Sequence, residues 1–204
     1  MKGIAAVTLV LVVLALAGCD FQDIMSGLLV GRQKDHAHTQ IEEGAAMAEA
    51  QVLIERTSVI KLEGDISRVF PLFTPLGERE WAEGWDPTVV WPADESVQER
   101  MVFTVRHGDG PETMWLVSKF DEQFGLIEYT VYESESVHWI LLRCSAAEDG
   151  KSTNAEITYT YVGTNEDACQ KNVQQLASMY KHNLKDWEYV INHYLRTGER
   201  ITHH

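Results

Sequence analysis

Asp86, His107 and His138 are the side chains that sit where a general acid or base could act in this chain of 204 residues. Asp86 directly follows Trp85, His107 shares strand parity with Phe103 and Val105, and His138 lies in a run that is apolar on both parities. No spacing ties any two of them into a catalytic pair, and a hydrogen-bonded structural or surface group is the simpler reading of each. There is no nucleophile elbow, no Gly-rich phosphate loop and no metal-binding array of Cys and His. His36 and His38 could share a metal with His203 and His204, but no acidic or thiolate ligand is tied to them and both pairs fall in the tails expected outside the domain. Solvated histidines are expected there, and no metal or cofactor. The stronger chemical signal is aromatic. Trp81, Trp85, Phe103, Tyr129, Tyr159, Tyr161, Tyr180 and Trp187 recur on the apolar parity of several segments. Gathered around one open space, they would line a cavity for a hydrophobic or amphipathic molecule, with the tyrosine hydroxyls orienting it; packed solidly, they would be core.

The elements that must position these rings follow from periodicity. From Asp167 to Arg196, Cys169, Val173, Leu176, Tyr180, Leu184, Trp187, Ile191 and Tyr194 step by three or four, which predicts one long helix with one buried face. The other face, Lys171, Gln174, Lys181, Lys185, Glu188 and Asn192, is expected to be wet. Thr164 or Asn165 can cap its start and Gly198 lies just past its end.

Upstream, Val52–Leu62 is rich in β-branched residues and ends at Glu63-Gly64-Asp65, a strand entering a turn. Two short helices are expected next. Ser67 could cap the first, and Gly77–Trp85 forms the second, with Trp81 and Trp85 on one face. Six strands follow: Thr88–Trp91, Met101–His107, Thr113–Phe120, Leu126–Glu133, Val137–Cys144 and Ala155–Val162. Alternation sets Phe103, Val105, Ile127, Tyr129, Val131, Ile157, Tyr159 and Tyr161 on one greasy face, but it cannot assign Trp115 or Trp139. The two thiols at Cys144 and Cys169 are expected to stay free, because an intervening strand separates them by about 25 Å, beyond the ~7 Å limit for a disulfide.

Strand, two short helices, six antiparallel strands and a long helix, over roughly residues 52–197, resemble the START-like or SRPBCC helix-grip superfamily. The local resemblance is to bacterial members carrying the run Val69-Phe70-Pro71-Leu72-Phe73-Thr74-Pro75, then Gly77-Glu78-Arg79-Glu80-Trp81 and Gly84-Trp85-Asp86-Pro87. It implies an α+β fold in which a curved seven-stranded antiparallel sheet wraps the C-terminal helix. A cavity would lie between sheet and helix, and the Trp81–Trp85 segment would cover its mouth. The superfamily includes lipid carriers, aromatic cyclases, plant ligand-binding proteins and chaperone-ATPase activators, so the resemblance implies no reaction.

The N-terminus has its own signature. Met1-Lys2 is followed by an uncharged stretch whose apolar part, Ile4–Leu16, would rise only ~20 Å as a helix, against a hydrocarbon thickness of roughly 30 Å. It ends in Leu16-Ala17-Gly18-Cys19, which resembles the bacterial lipobox in which the Cys sulfur receives diacylglycerol and becomes the first mature residue. The resemblance implies a signal peptide over residues 1–18, a lipidated Cys19 with a tether to residue 51, the domain, and a tail over residues 198–204. Asp20 resembles an inner-membrane retention signal. The domain would then face the periplasm or cell exterior. With 17 Lys+Arg against 31 Asp+Glu, net charge −14, nucleic acid and anionic lipid surfaces are repelled, so membrane attachment needs this anchor. Three functions fit: a carrier of a hydrophobic small molecule or lipid, a cyclase- or hydrolase-type enzyme, and a module that binds another envelope protein.

Overall fold

A computed structural model describes residues 53–106, 108 and 110–202. Cys19, the tether, His36, His38, His107, His203 and His204 lie outside the described residues. β1 (Ile54–Glu63) leads into a short helix α1 (Ile66–Val69) and two 3-10 turns, Phe70–Phe73 and Gly77–Glu80. β2 (Thr88–Trp91), β3 (Val102–Arg106), β4 (Glu112–Asp121), β5 (Leu126–Tyr132), β6 (Ser136–Ala146) and β7 (Ser152–Gly163) then form a meander. The chain ends in α2 (Glu166–Met179) and α3 (Lys185–Thr197). The seven strands make one antiparallel sheet in the order β1-β7-β6-β5-β4-β3-β2, so β1 closes onto β7 at the far end of the meander. This is an α+β helix-grip architecture, as the order of elements led us to expect.

Side-chain alternation produces an inner face and an outer one. The register aligns the inner residues in rows across the strands: Ile54, Tyr161, His138, Val131, Trp115 and Phe103 form one, and Tyr159, Ile140, Tyr129 and Val117 the next. Trp139 alternates with buried His138 and Ile140, which places it on the outer face. Beside it, Thr130 is only 6% exposed although it points outward, because Leu116 and Trp139 flank it on the neighbouring strands.

The long helix predicted from Asp167 to Arg196 is in fact two. The chain breaks over Tyr180–Leu184, where Asn183 (φ 51°) and Leu184 (φ 56°) are both left-handed. Nothing in the apolar spacing announces this, since Leu184 keeps its place in the 3–4 pattern and is 1% exposed. The break is held from outside the helix: Ser58 Oγ donates to the Asn183 carbonyl at 2.9 Å. Two face assignments change as well. Val173, expected inside, is 49% exposed, and its neighbour Asn172 is buried. Glu188 and Asn192, expected to be wet, cap the open edge of the sheet: the Lys61 N–H donates to Glu188 Oε2 at 2.9 Å and the Glu63 N–H to Asn192 Oδ1 at 2.8 Å. An edge strand's free amides are thereby closed by a helix, which removes a site of strand-to-strand association. The termini of the pair follow the sequence, with Asn165 Oδ1 accepting from the Ala168 N–H at 2.8 Å and Gly198 closing α3 in the left-handed region.

The short helices are also slighter than expected. Asp65 rather than Ser67 caps α1, accepting from the Arg68 N–H at 3.1 Å, and the Ser67 hydroxyl donates to the same carboxylate. The second helix is a single 3-10 turn, so Trp81 and Trp85 share no helical face; each is fixed by its own indole N–H, to the Leu72 carbonyl (2.7 Å) and the Pro75 carbonyl (2.8 Å). Gly77 allows that turn to fold back on the preceding one, since a Cβ there would lie 1.9 Å from the Pro71 carbonyl oxygen.

Candidate functional site

Two sets of rings face the space between the inner sheet face and the segments that cover it. One set belongs to the β3–β5 side: Trp85 meets Trp115 at 5.3 Å and Phe103 at 6.3 Å, and Tyr129 meets Phe103 at 6.0 Å and Trp115 at 5.8 Å, mostly edge to face. The other belongs to the β7 and α3 side: Trp187 meets Trp81 at 5.5 Å and Tyr159 at 6.5 Å, and Tyr159 meets Tyr180 at 6.2 Å and Tyr161 at 6.1 Å. Tyr129 and Tyr159 lie in one row, separated by Ile140, and so carry one set toward the other. Trp81, Tyr129, Tyr159, Tyr161 and Tyr180 are buried, whereas Trp85, Trp115 and Trp187 are part-exposed.

The hydroxyls divide into used and unused ones. Tyr129 donates to the Phe73 carbonyl at 2.7 Å, Tyr180 to the Ile157 carbonyl at 3.1 Å, and Tyr161 meets Met179 Sδ at 3.8 Å. Tyr159 stands without such a bond among the described residues. Burial pushes the Tyr129 and Tyr159 phenols well above their ordinary value, and the Glu78 carboxyl adds to both shifts. Burial pushes the Glu78 carboxyl itself above the usual range, although the residue keeps part of its surface exposed.

A second polar group lies under α2. Ser136 Oγ donates to Asn172 Oδ1 at 3.2 Å, His138 packs on Tyr161 with ring centroids 3.7 Å apart, and neither His138 Nε2 nor Asn172 Nδ2 has a hydrogen-bond partner among the described residues. Burial depresses the His138 imidazole to about 4, so it is neutral at ordinary pH. Glu133 Oε2 is 3.9 Å from it.

The structure thus brings together Trp81, Trp85, Phe103, Tyr129, Tyr159, Tyr161, Tyr180 and Trp187 as two series of ring contacts joined through Ile140. Of the acid–base candidates, Asp86 and His138 lie among the described residues, and they do not meet. Asp86 is exposed and lies 3.6 Å from Arg79, away from His138 in the sheet. Sequence reasoning missed Trp115, whose face its strand's pattern left open, and Glu78, which reads as one of several charges on a short surface helix. The one available signal for Glu78 was its position between Gly77 and Trp81. Cys144 and Cys169 are free thiols, and burial pushes the former up to about 12. Among the described residues no three His, Cys, Asp or Glu side chains are grouped to hold a metal.

No protein-family model matches the chain, and no curated protein does. Solved structures do. A solution structure from Thermobifida fusca superposes with a TM-score of 0.55 at 14% identity, covering 74% of this chain and 99% of its own. Norcoclaurine synthase from Thalictrum flavum, in complex with dopamine and hydroxybenzaldehyde, gives 0.53 at 10% identity, covering 72% and 88%. Ara h 8.0201 gives 0.51 at 12% identity, covering 72% and 99%. At these identities the likeness is one of fold, and the fold this chain shares with them is the helix grip.

Proposed function

We propose that this chain is a lipid-anchored protein of the bacterial cell envelope whose helix-grip domain binds a hydrophobic or amphipathic small molecule or lipid between the sheet and the C-terminal helices. The observation that carries the reading is the part-exposure of Trp85, Trp115 and Trp187 around an inner wall of buried tyrosines. Three part-exposed indoles in contact with that wall offer apolar surface that a bound molecule would cover. A ligand covering them would gain roughly 25 cal/mol for each Å² of apolar surface removed from water. The enzyme reading has less to support it, since Asp86 and His138 do not converge.

Binding is tested on the full chain with the uncharged probe N-phenyl-1-naphthylamine, following tryptophan fluorescence, alongside native mass spectrometry for co-purified molecules. Saturable quenching is expected, and Trp187→Ala should weaken it about tenfold by removing one wall. If the interior is solid, the same change costs stability, ~3–5 kcal/mol, with no binding to lose. No bound species and no saturable signal would discard the carrier reading in favour of a partner-binding module.

The anchor is tested separately. Lipidation at Cys19 would remove Lys2 with the signal peptide, leaving 16 basic and 31 acidic residues, a net charge of −15, held to a membrane by lipid alone. Cys19→Ser should block processing and leave the longer precursor. Cleavage of that variant at the same bond, together with a wild-type chain lacking lipid by mass spectrometry, would end the lipoprotein reading.

A further inference from the structure

We infer that the outer face of the sheet is a docking surface for a segment of this same chain, residues 21–30, which lies across the strands with its apolar side inward. This surface is separate from the interior site, and the inference holds whether or not Cys19 carries lipid.

A sheet face left to water normally carries polar side chains between the apolar ones that point into the core. The outer face here does not. The register sets Thr88, Thr104, Met114, Tyr132, Val137 and Val162 side by side in one outward row. Trp91, Val102, Leu116, Thr130, Trp139 and Thr160 form the next. None of these residues is charged. The two rows cross every strand from β2 to β7, about 24 Å at the usual strand spacing. Charge returns at the borders, where Arg106 faces Glu112 on one side and Lys119 pairs with Glu128 at 2.8 Å on the other. Met114 is 51% exposed, Tyr132 49% and Trp91 47%, and Leu116, Val137 and Trp139 are part-exposed. A continuous apolar band with a charged rim is the kind of surface that another element covers.

Three observations name that element. The first is where the chain enters. Leu53, 59% exposed, immediately precedes Ile54, whose partner on β7 is Tyr161, so the residues before it join the domain beside Val162, at the end of the first row. The second is pattern. Phe21, Ile24, Met25, Leu28 and Leu29 fall at i, i+3, i+4, i+7 and i+8, the spacing of one apolar helix face, with Gln22, Asp23 and Ser26 between them. Ten residues in a helix span ~15 Å, over half of the band, and the connection through residues 31–52 can reach on the order of 70 Å, far more than the return requires. The third is charge. A second copy would bring together two chains of net charge −14, and an anionic membrane is repelled by the same charge, whereas residues 21–30 carry Asp23 as their sole charged side chain. Attachment also gives the segment an effective concentration on the order of millimolar, which a second copy lacks.

The test uses the full chain in phosphatidylcholine vesicles, with p-benzoylphenylalanine in place of Leu28 as a photocrosslinker. Illumination should join position 28 to peptides from β4, β5 or β6 of the same chain. Hydroxyl-radical footprinting of the unlabelled chain gives the second readout. Met114 and Trp139 should oxidise at least about fivefold more slowly in the wild type than in the double variant Leu28→Asp/Leu29→Asp, the ratio expected of a segment docked about four-fifths of the time. Phe124, 71% exposed and outside the band, should react equally in both and serves as the reference. Crosslinks to lipid would overturn the inference and assign the face to the bilayer, and crosslinks at twice the chain mass would overturn it in favour of a second copy. Equal oxidation of Met114 and Trp139 in the two proteins would overturn it as well, because the segment would then leave the face bare. None of these outcomes bears on the interior site.

Discussion

Trp81→Ala is expected to destabilise the folded domain by about 3–5 kcal/mol, the cost of deleting a large buried ring together with the cavity it leaves. Trp81 is 4% exposed and packs edge-on against Phe73 at 6.5 Å and Trp187 at 5.5 Å. Its indole N–H is also the partner of the Leu72 carbonyl, so the alanine variant leaves a buried acceptor unpaired. This one side chain joins the two 3-10 turns to α3, alongside the hydrogen bond from the Tyr194 hydroxyl to Glu80. Urea unfolding reads the effect as a lower midpoint at unchanged slope. Trp81→Phe separates the two contributions, since it keeps most of the ring and loses the hydrogen bond, for about 1 kcal/mol. A loss below about 1 kcal/mol in the alanine variant would show that the turn after Gly77 is not part of the cooperative core.

The second large effect is a loss of stability in mild acid, centred on His138. The imidazole is buried, has no hydrogen-bond partner at Nε2 among the described residues, and titrates at about 4 in the folded chain against an ordinary 6.5. The unfolded chain therefore binds this proton first as pH falls. Stability from keeping His138 neutral is fully present above pH 6.5, and it declines through the interval down to about 4, by about 3 kcal/mol in all. Glu133, 3.9 Å away, works the other way, because burial pushes its carboxyl up and its protonation is favoured in the folded state. Its side chain is 41% exposed, however, and water screens the contribution. The aspartates with depressed values, Asp65, Asp94 and Asp149, lose their contribution mainly at lower pH. His138→Gln removes the titrating group, and its unfolding free energy should vary by at least 2 kcal/mol less than the wild type between pH 6.5 and 4. Parallel pH profiles for the two proteins would refute the assignment.

How much of this was readable in advance depends on whether the signal is local. Strand positions were readable because each strand covers one face of a single core, and alternation records that burial residue by residue. Phe103, Tyr129, Tyr159 and Tyr161 could be put on the inner face on that ground alone. The order of elements then carried the resemblance to the helix-grip superfamily, which implied a sheet wrapped around one long C-terminal helix. Asn165 and Gly198 marked helix ends because capping is decided by the side chains beside the terminus.

What escaped was whatever depends on a partner distant in the chain. The break after Tyr180 is stabilised by Ser58 across the sheet, and no helix-breaking residue lies within Tyr180–Leu184 to betray it. The Trp81–Trp85 segment has the composition of a helix. It folds as a turn because its two indoles find carbonyls at Leu72 and Pro75, bonds that outweigh weak local propensity. Trp115 and Trp139 had equal apolar patterns, and only the register of β4 and β6 with their neighbours sent one inward and the other out. Asn172 shows the limit most clearly. An amide beside Lys171 in a helix reads as solvated, and it is buried only because the fold sets α2 against Ser136 of β6. The amino-acid sequence decides which faces are apolar, but burial of a polar group is a property of the whole fold, set by what packs over it.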